Sequence, residues 1–202
     1  MRTITPMRRW AATAALTLSA LALAGCQTMV APVEVTRFHL DVPPTGAAIM
    51  VVEAPGLDGG SMAYGTYESA VRRELDALGY PTGKASAGQY LATVSYKVVV
   101  QEAPPRGSPV SVGVGGSTGS YGSGLGVGIG INLSGRPKDV IVTELSVRIA
   151  ETGTGKSVWE GRATTQAREG TPAAQPGLAA AKLASALFKG YPGNSGETIT
   201  VK

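Results

Sequence analysis

The pattern of apolar residues predicts an α+β fold: an antiparallel sheet with two helices packed on one face and a glycine-rich hairpin inserted into it. Three observations lead there. Residues 91–100 and 140–150 alternate apolar and polar side chains at period two, as half-buried strands do. Residues 61–78 repeat apolar side chains at spacings of three and four, and a second such stretch opens at Gln175-Pro176. Strands, helix, strands, hairpin and helix then follow in an order that suits a sheet with its helices on one side.

The chain begins with a segment that stands apart from this pattern. Arg2, Arg8 and Arg9 precede an apolar run over 11–23, and the small residues Ala24 and Gly25 stand before Cys26, the only cysteine. A basic, then apolar, then small-residue order is that of a secretory signal. The run is too short for a membrane span, which takes about 20 apolar residues. Leu23-Ala24-Gly25-Cys26 reads as a lipobox. The alternative is an ordinary signal cut near 22–24 that leaves Cys26 as a thiol, but a lone thiol is unusual in an exported chain, where cysteines pair. The pattern resembles that of bacterial lipoproteins. The resemblance implies cleavage of residues 1–25, a diacylglyceryl thioether on Cys26 and an acylated amino terminus. Each buried methylene contributes about 0.8 kcal/mol, and stable anchoring takes more than one chain. Gln27 follows where Asp would imply inner-membrane retention, so the resemblance implies the outer membrane, reached through lipidated Cys26.

Charge is recounted without the leader. The chain carries 18 Lys+Arg and 14 Asp+Glu; removing the three leader arginines leaves 15 cations and a net charge of about +1. The cations are scattered, which argues against a nucleic-acid partner. The expected organisation is a tether over 26–32 and one domain over 33–202, with a glycine-rich insertion at 110–135. With Cys26 lipidated no disulfide is available, so stability rests on a packed core. Aromatic residues make up 5% of the chain and there are 28 glycines, so that core is expected to be small.

The elements follow in order. Residues 33–39 and 47–53 read as strands broken by Pro43-Pro44 and Gly46. Residues 57–60 form a turn, and Ser61 caps a helix to Leu78, with Tyr64, Tyr67, Val71, Leu75 and Leu78 as its apolar stripe. Glu68 and Arg72 lie four apart on its exposed side. Gly79 and Pro81 end it. In 91–100, Ala92, Val94, Tyr96, Val98 and Val100 share one face. In 140–150, Ile141, Leu145, Val147 and Ile149 face the core. Residues 151–156 turn into a partner strand, 157–166, that carries Trp159, and the two strands make a hairpin. The second helix presents Leu178, Leu183, Leu187 and Phe188 and ends at Gly190 and Pro192. Residues 198–201 form a last edge strand.

Residues 110–135 alternate too, but against glycine. Val110, Val112 and Val114 alternate with Ser111, Gly113 and Gly115. After the 117–124 stretch, Leu125, Val127, Ile129, Ile131 and Leu133 alternate with Gly124, Gly126, Gly128 and Gly130. Period two makes this a hairpin with one apolar face and one bare backbone face. Glycine weakens a strand yet lets another backbone approach closely. Three readings stay open: a surface loop, an edge prone to strand addition, or a docking ribbon. In the docking reading Val112, Val114, Leu125, Val127, Ile129 and Ile131 are the candidate contacts for an envelope partner, a neighbouring copy or the lipid surface.

Catalytic and metal motifs do not hold up. Gly115-Gly116-Ser117-Thr118-Gly119 fits G-x-S-x-G, but no helix follows it and the sole histidine, His39, lies upstream. The 153–157 segment resembles the tail of a P-loop, but it joins two strands instead of opening a helix. One histidine and no acidic cluster supply no metal site, and no cofactor is expected. Carboxylate pairs such as Asp41 with Glu53 could meet across strands, but nothing in the sequence places them in a pocket. Tyr64, Tyr67, Tyr80, Tyr96 and Trp159 could line a groove, but large aromatics more often build the core.

Taken together, the lipobox, the helix ending Leu75-Asp76-Ala77-Leu78-Gly79-Tyr80, the strand over 91–100, the glycine insertion, the hairpin with Trp159-Glu160-Gly161-Arg162-Ala163 and the helix ending Leu187-Phe188-Lys189-Gly190-Tyr191-Pro192 resemble the lipoprotein family catalogued as domain of unknown function 4136. The resemblance implies an α+β fold in the bacterial envelope. It implies no activity and no catalytic residues. Pro43-Pro44 and the following strand replace the family's aromatic-rich start, which leaves the first strand pairing open. The expected function is that of a non-enzymatic, lipid-anchored outer-membrane accessory or structural protein facing the periplasm. The alternative is a module that binds a lipid, glycan or peptide between sheet and helices.

Overall fold

The structure is a computed structural model. It describes residues 31–83, 89–104, 110–119, 122–131 and 137–202, with backbone alone over 110–131. Leu23, Ala24, Gly25 and Cys26 lie outside the described residues, as do positions 132–135 of the insertion. Residues 31–202 form one compact unit.

Eight strands and two α-helices are described: β1 (Val33–His39), β2 (Ile49–Glu53), α1 (Met62–Ala77), β3 (Tyr90–Gln101), β4 (Val110–Gly119), β5 (Gly122–Ile131), β6 (Val140–Glu151), β7 (Ser157–Arg168), α2 (Pro176–Phe188) and β8 (Thr198–Val201). Six strands form one open sheet in the order β2-β3-β6-β7-β1-β8, and β4 and β5 form a separate two-stranded ribbon. The sheet is mixed, which corrects the expectation of a wholly antiparallel one: β2 and β3 run parallel. A helix between two strands carries the chain back to its starting end, so the second strand repeats the first one's direction. The β6–β7 hairpin forms as expected, with Ile149 opposite Trp159 and an irregularity just beyond that brings Ala150 opposite Ser157. The pairing of β1, left open by the sequence, is antiparallel with both β7 and β8. Three strands therefore separate β1 from β2, and Asp41 and Glu53, which follow and end them, are not brought together across neighbouring strands.

Both helices cover one face of the sheet. Alternate strand residues, Val33, Val35, Ile49, Val51, Ala92, Val94, Leu145, Val147, Ile149, Trp159 and Ala163, share one core cluster with Tyr64, Tyr67, Val71 and Leu75 of α1 and Leu183, Leu187 and Phe188 of α2. The Ser61 hydroxyl accepts from the Tyr64 amide at 3.1 Å, a cap worth about 1 kcal/mol. Gly79 ends α1 at φ +87°, a conformation that only glycine adopts without strain. Leu178 departs from expectation: it is 54% exposed, and Ala179, Ala180 and Ala184 bury their side of α2 instead, their small side chains letting the helix lie close to its neighbours. Glu68 and Arg72 pair at 2.6 Å, but half-buried and not on an exposed face. The Arg72 guanidinium also donates to the carbonyls of Val51 (3.1 Å) and Thr82, and so closes the outer edge of β2.

Candidate functional site

The ribbon is the first candidate. Its strands pair antiparallel, with Val110 opposite Ile131, Val112 opposite Ile129, Val114 opposite Val127 and Gly116 opposite Leu125. The intervening rows pair Ser111 with Gly130, Gly113 with Gly128, Gly115 with Gly126 and Ser117 with Gly124. All six candidate contact positions therefore fall on one face and glycine or serine on the other, as the alternation predicts. Ser117 sits within β4, which runs on towards β5 and not into a helix, so the G-x-S-x-G match is no nucleophile elbow.

The ribbon leaves the sheet from a defined base. β3 and β6 stay paired up to Gln101 opposite Val140. Asp139 ties that base together: its carboxylate accepts from the Ala103 amide at 3.0 Å, and its carbonyl accepts from Glu169 at 2.8 Å. Val98 and Val100 approach the base and are 50% and 56% exposed. The core alternation of β3 thus ends at Tyr96, because the helices cover only its first half. Val33 stands opposite Thr165 on β7, and Val140 stands opposite Arg168. The chain therefore enters β1 at the same end of the sheet from which the ribbon departs. Ala31 and Pro32 are held there, accepting through their carbonyls from Lys182 Nζ and from the Thr165 hydroxyl (3.1 Å).

The open face of the sheet is the second candidate. Thr36, Phe38, Ser95, Ser146, Arg148 and Arg162 line a shallow concavity of about 550 Å³ on the side away from the helices. Arg148 pairs with Glu160 at 3.3 Å and Arg162 with Glu144 at 3.4 Å. The space between sheet and helices, where the alternative reading puts a groove, is filled among the described residues by buried Trp159, Tyr64 and Tyr67, so the aromatics are core. Tyr67 stacks on Tyr96 at 4.4 Å, and Trp159 on Phe188 at 5.4 Å. Burial pushes the Tyr64 and Tyr67 hydroxyls up to about 12, with Glu68 and Glu53 adding to the effect at Tyr64.

His39 ends β1, with Nε2 3.1 Å from the Gly193 carbonyl, a strand residue in a structural contact. Residues 153–157 form the β6–β7 turn, as expected. Sequence reasoning missed Arg37, which is 4% exposed. It donates to the carbonyls of Leu187 (2.9 Å), Ala186 (3.0 Å) and Lys189 (2.9 Å), the C-terminal end of α2. Three unpaired carbonyls and the negative end of a helix favour a cation there. Desolvation lowers its pKa, and nearby Glu197 acts in the opposite direction. No group of three or more His, Cys, Asp or Glu placed to hold a metal occurs among the described residues. No helix among them is long and apolar enough to cross a membrane, a statement that leaves strands untouched.

Among known proteins, the chain is similar to an uncharacterized protein of Zymomonas mobilis, 28% identical over 85% of this chain and 80% of the relative. Its fold is distantly similar to a PDZ domain protein from Parabacteroides distasonis (TM-score 0.48, 10% identity, 92% of this chain). The match spans 41% of that protein's length. It is also distantly similar to the PelC dodecamer from Paraburkholderia phytofirmans (TM-score 0.42, 10% identity, 77% of this chain and 95% of that one). The family model described as Domain of unknown function (DUF4136) matches residues 54–193, from the end of β2 past α2, and the chain belongs to that family.

Proposed function

We propose that this chain is a lipid-anchored lipoprotein of the outer membrane, facing the periplasm, that serves the envelope without catalysis as an accessory or structural interaction protein. Leu23-Ala24-Gly25-Cys26 supports the anchor, and the ribbon is the contact element. One observation carries the reading: β1 begins, at Val33, at the end of the sheet from which the ribbon leaves, so a tether leading back from β1 starts at the ribbon's pole of the domain. The test is in-cell photo-crosslinking with a probe at Val127 and a control probe at exposed Arg73 on α1. One abundant adduct at Val127 alone supports the reading; identical adducts at both positions count against it.

The open-face concavity favours a second reading, a ligand-binding module for a lipid, glycan or peptide, since it offers the exposed ring of Phe38 beside hydroxyls and ion pairs. Binding to the native state raises apparent stability. A saturable rise in Tm with an envelope component, lost in Phe38→Ser, is the expected outcome, and a flat response across lipid, glycan and muropeptide panels removes this reading.

A further inference from the structure

The ribbon has the dimensions and the pattern of a membrane-crossing hairpin. Each strand is 10 residues long. A transmembrane strand takes about 9–11 residues, and at a tilt near 40° ten residues rise about 25 Å, the height of the apolar band of such barrels. The register gathers Val110, Val112, Val114, Leu125, Val127, Ile129 and Ile131 on one face, which Gly116, Thr118 and Ser123 complete at the turn end, and glycine and serine on the other, the two-sided pattern of a strand between lipid and water. Residues 107–135 contain no Asp, Glu, Lys or Arg, whereas Arg106, Arg136 and Lys138 flank them. Cations at that border suit an anionic lipid surface.

The tether sets what the ribbon can reach. The stretch from Cys26 to Val33 spans at most about 25 Å when fully extended. It ends at the pole where the ribbon begins and where the valines of β3 are exposed. A bilayer holding the Cys26 lipid therefore lies within reach of the ribbon. One hairpin cannot stay in hydrocarbon alone, because both its outer edges carry unpaired N–H and C=O groups that each cost several kcal/mol there. Copies of the same hairpin remove those edges, with β5 of one chain beside β4 of the next. We propose that ribbons from several copies of this chain insert into the membrane that holds their anchors and close into a transmembrane β-barrel. Closure takes about eight strands or more, hence about four copies or more. Glycine and serine on the inner face leave no bulky side chains to fill such a barrel, so its interior is open to water.

This deepens the reading of the ribbon as contact element by naming what it contacts: bilayer on one face, identical strands on both edges. The test uses the full chain, processed in a Gram-negative host, with single cysteines labelled by an environment-sensitive fluorophore. Val112→Cys and Val114→Cys report the apolar face, and Ser111→Cys and Ser117→Cys the other. The expected result in native membranes is blue-shifted emission, quenched by lipid nitroxides, at the two valine positions, aqueous emission at the two serine positions, and detergent-resistant multiples of the chain. Equal aqueous emission at all four positions overturns the proposal. Alternating emission without nitroxide quenching means that protein covers the apolar face, which overturns the barrel and leaves the interaction reading standing. Dye release from vesicles of bacterial lipids gives an independent readout: it is expected to depend steeply on protein concentration and to be lost in Val114→Asp. Equal release by that variant overturns the barrel.

Discussion

At the scale of single residues, the Trp159-Glu160-Gly161-Arg162-Ala163 stretch acquires a physical meaning. Its odd positions face the helices and its even positions face away, where Glu160 and Arg162 pair with Arg148 and Glu144. A Cβ on Gly161 would stand 2.4 Å from the Trp159 ring and 2.8 Å from Leu187, so glycine there makes room for the indole. Gly161→Ala is expected to cost about 1–3 kcal/mol, read as a lower urea midpoint with an unchanged slope. Arg37 stands at the other extreme. Arg37→Met leaves the last carbonyls of α2 buried without donors and is expected to cost about 3 kcal/mol in the same assay. The alternation located the hairpin whose second strand carries Trp159, but not the role of Gly161. It could not place Arg37, because a cation among alternating apolar residues marks no partner, and its partners are carbonyls about 150 positions away. The Tyr64 hydroxyl is buried with no hydrogen-bond partner among the described residues. Tyr64→Phe is therefore expected to leave stability equal or raised, the reverse of most core substitutions.

At the scale of elements, what the sequence made legible was periodicity, and what it hid was direction and neighbourhood. Period two located β3, β6 and the ribbon, turn residues bounded β1 and β7, and capping residues located both ends of α1. Nothing in an alternating strand records whether its neighbour runs parallel, so β2 beside β3 emerged only from the structure. Neither does a pattern of polar residues record curvature, so the open-face concavity was not legible. Among the described residues the ribbon strands pair with each other and not with the strands of the main sheet, and Asp139 secures the base without them. Replacing residues 112–133 by a short glycine-serine turn is accordingly expected to leave the unfolding free energy of the domain, read from urea titration, within about 0.5 kcal/mol, with circular dichroism confirming the fold. A cooperative loss of structure in that variant would mean that the ribbon belongs to the core.

At the scale of the whole molecule, two buried tyrosines link folding to alkaline pH. Tyr64 and Tyr67 titrate near 12 in the folded chain and near 10 when unfolded. Their protonated forms are favoured by folding, so that stability is fully present below about pH 10 and is lost as pH rises towards 12. The urea midpoint is expected to fall across this window, less steeply in the Tyr64→Phe, Tyr67→Phe double variant. The sheet also brings its first and last strands side by side, with Val33 opposite Val201. A short linker could join these ends, and new termini could be opened at Gly153 in the exposed β6–β7 turn, a circular permutation of the kind that surface turns accept. The permutant would keep every strand pairing except the turn itself. The segment leading into the domain would now start from the opposite pole, so the proposed anchor would hold the same domain inverted, with the ribbon pointing away from the lipid.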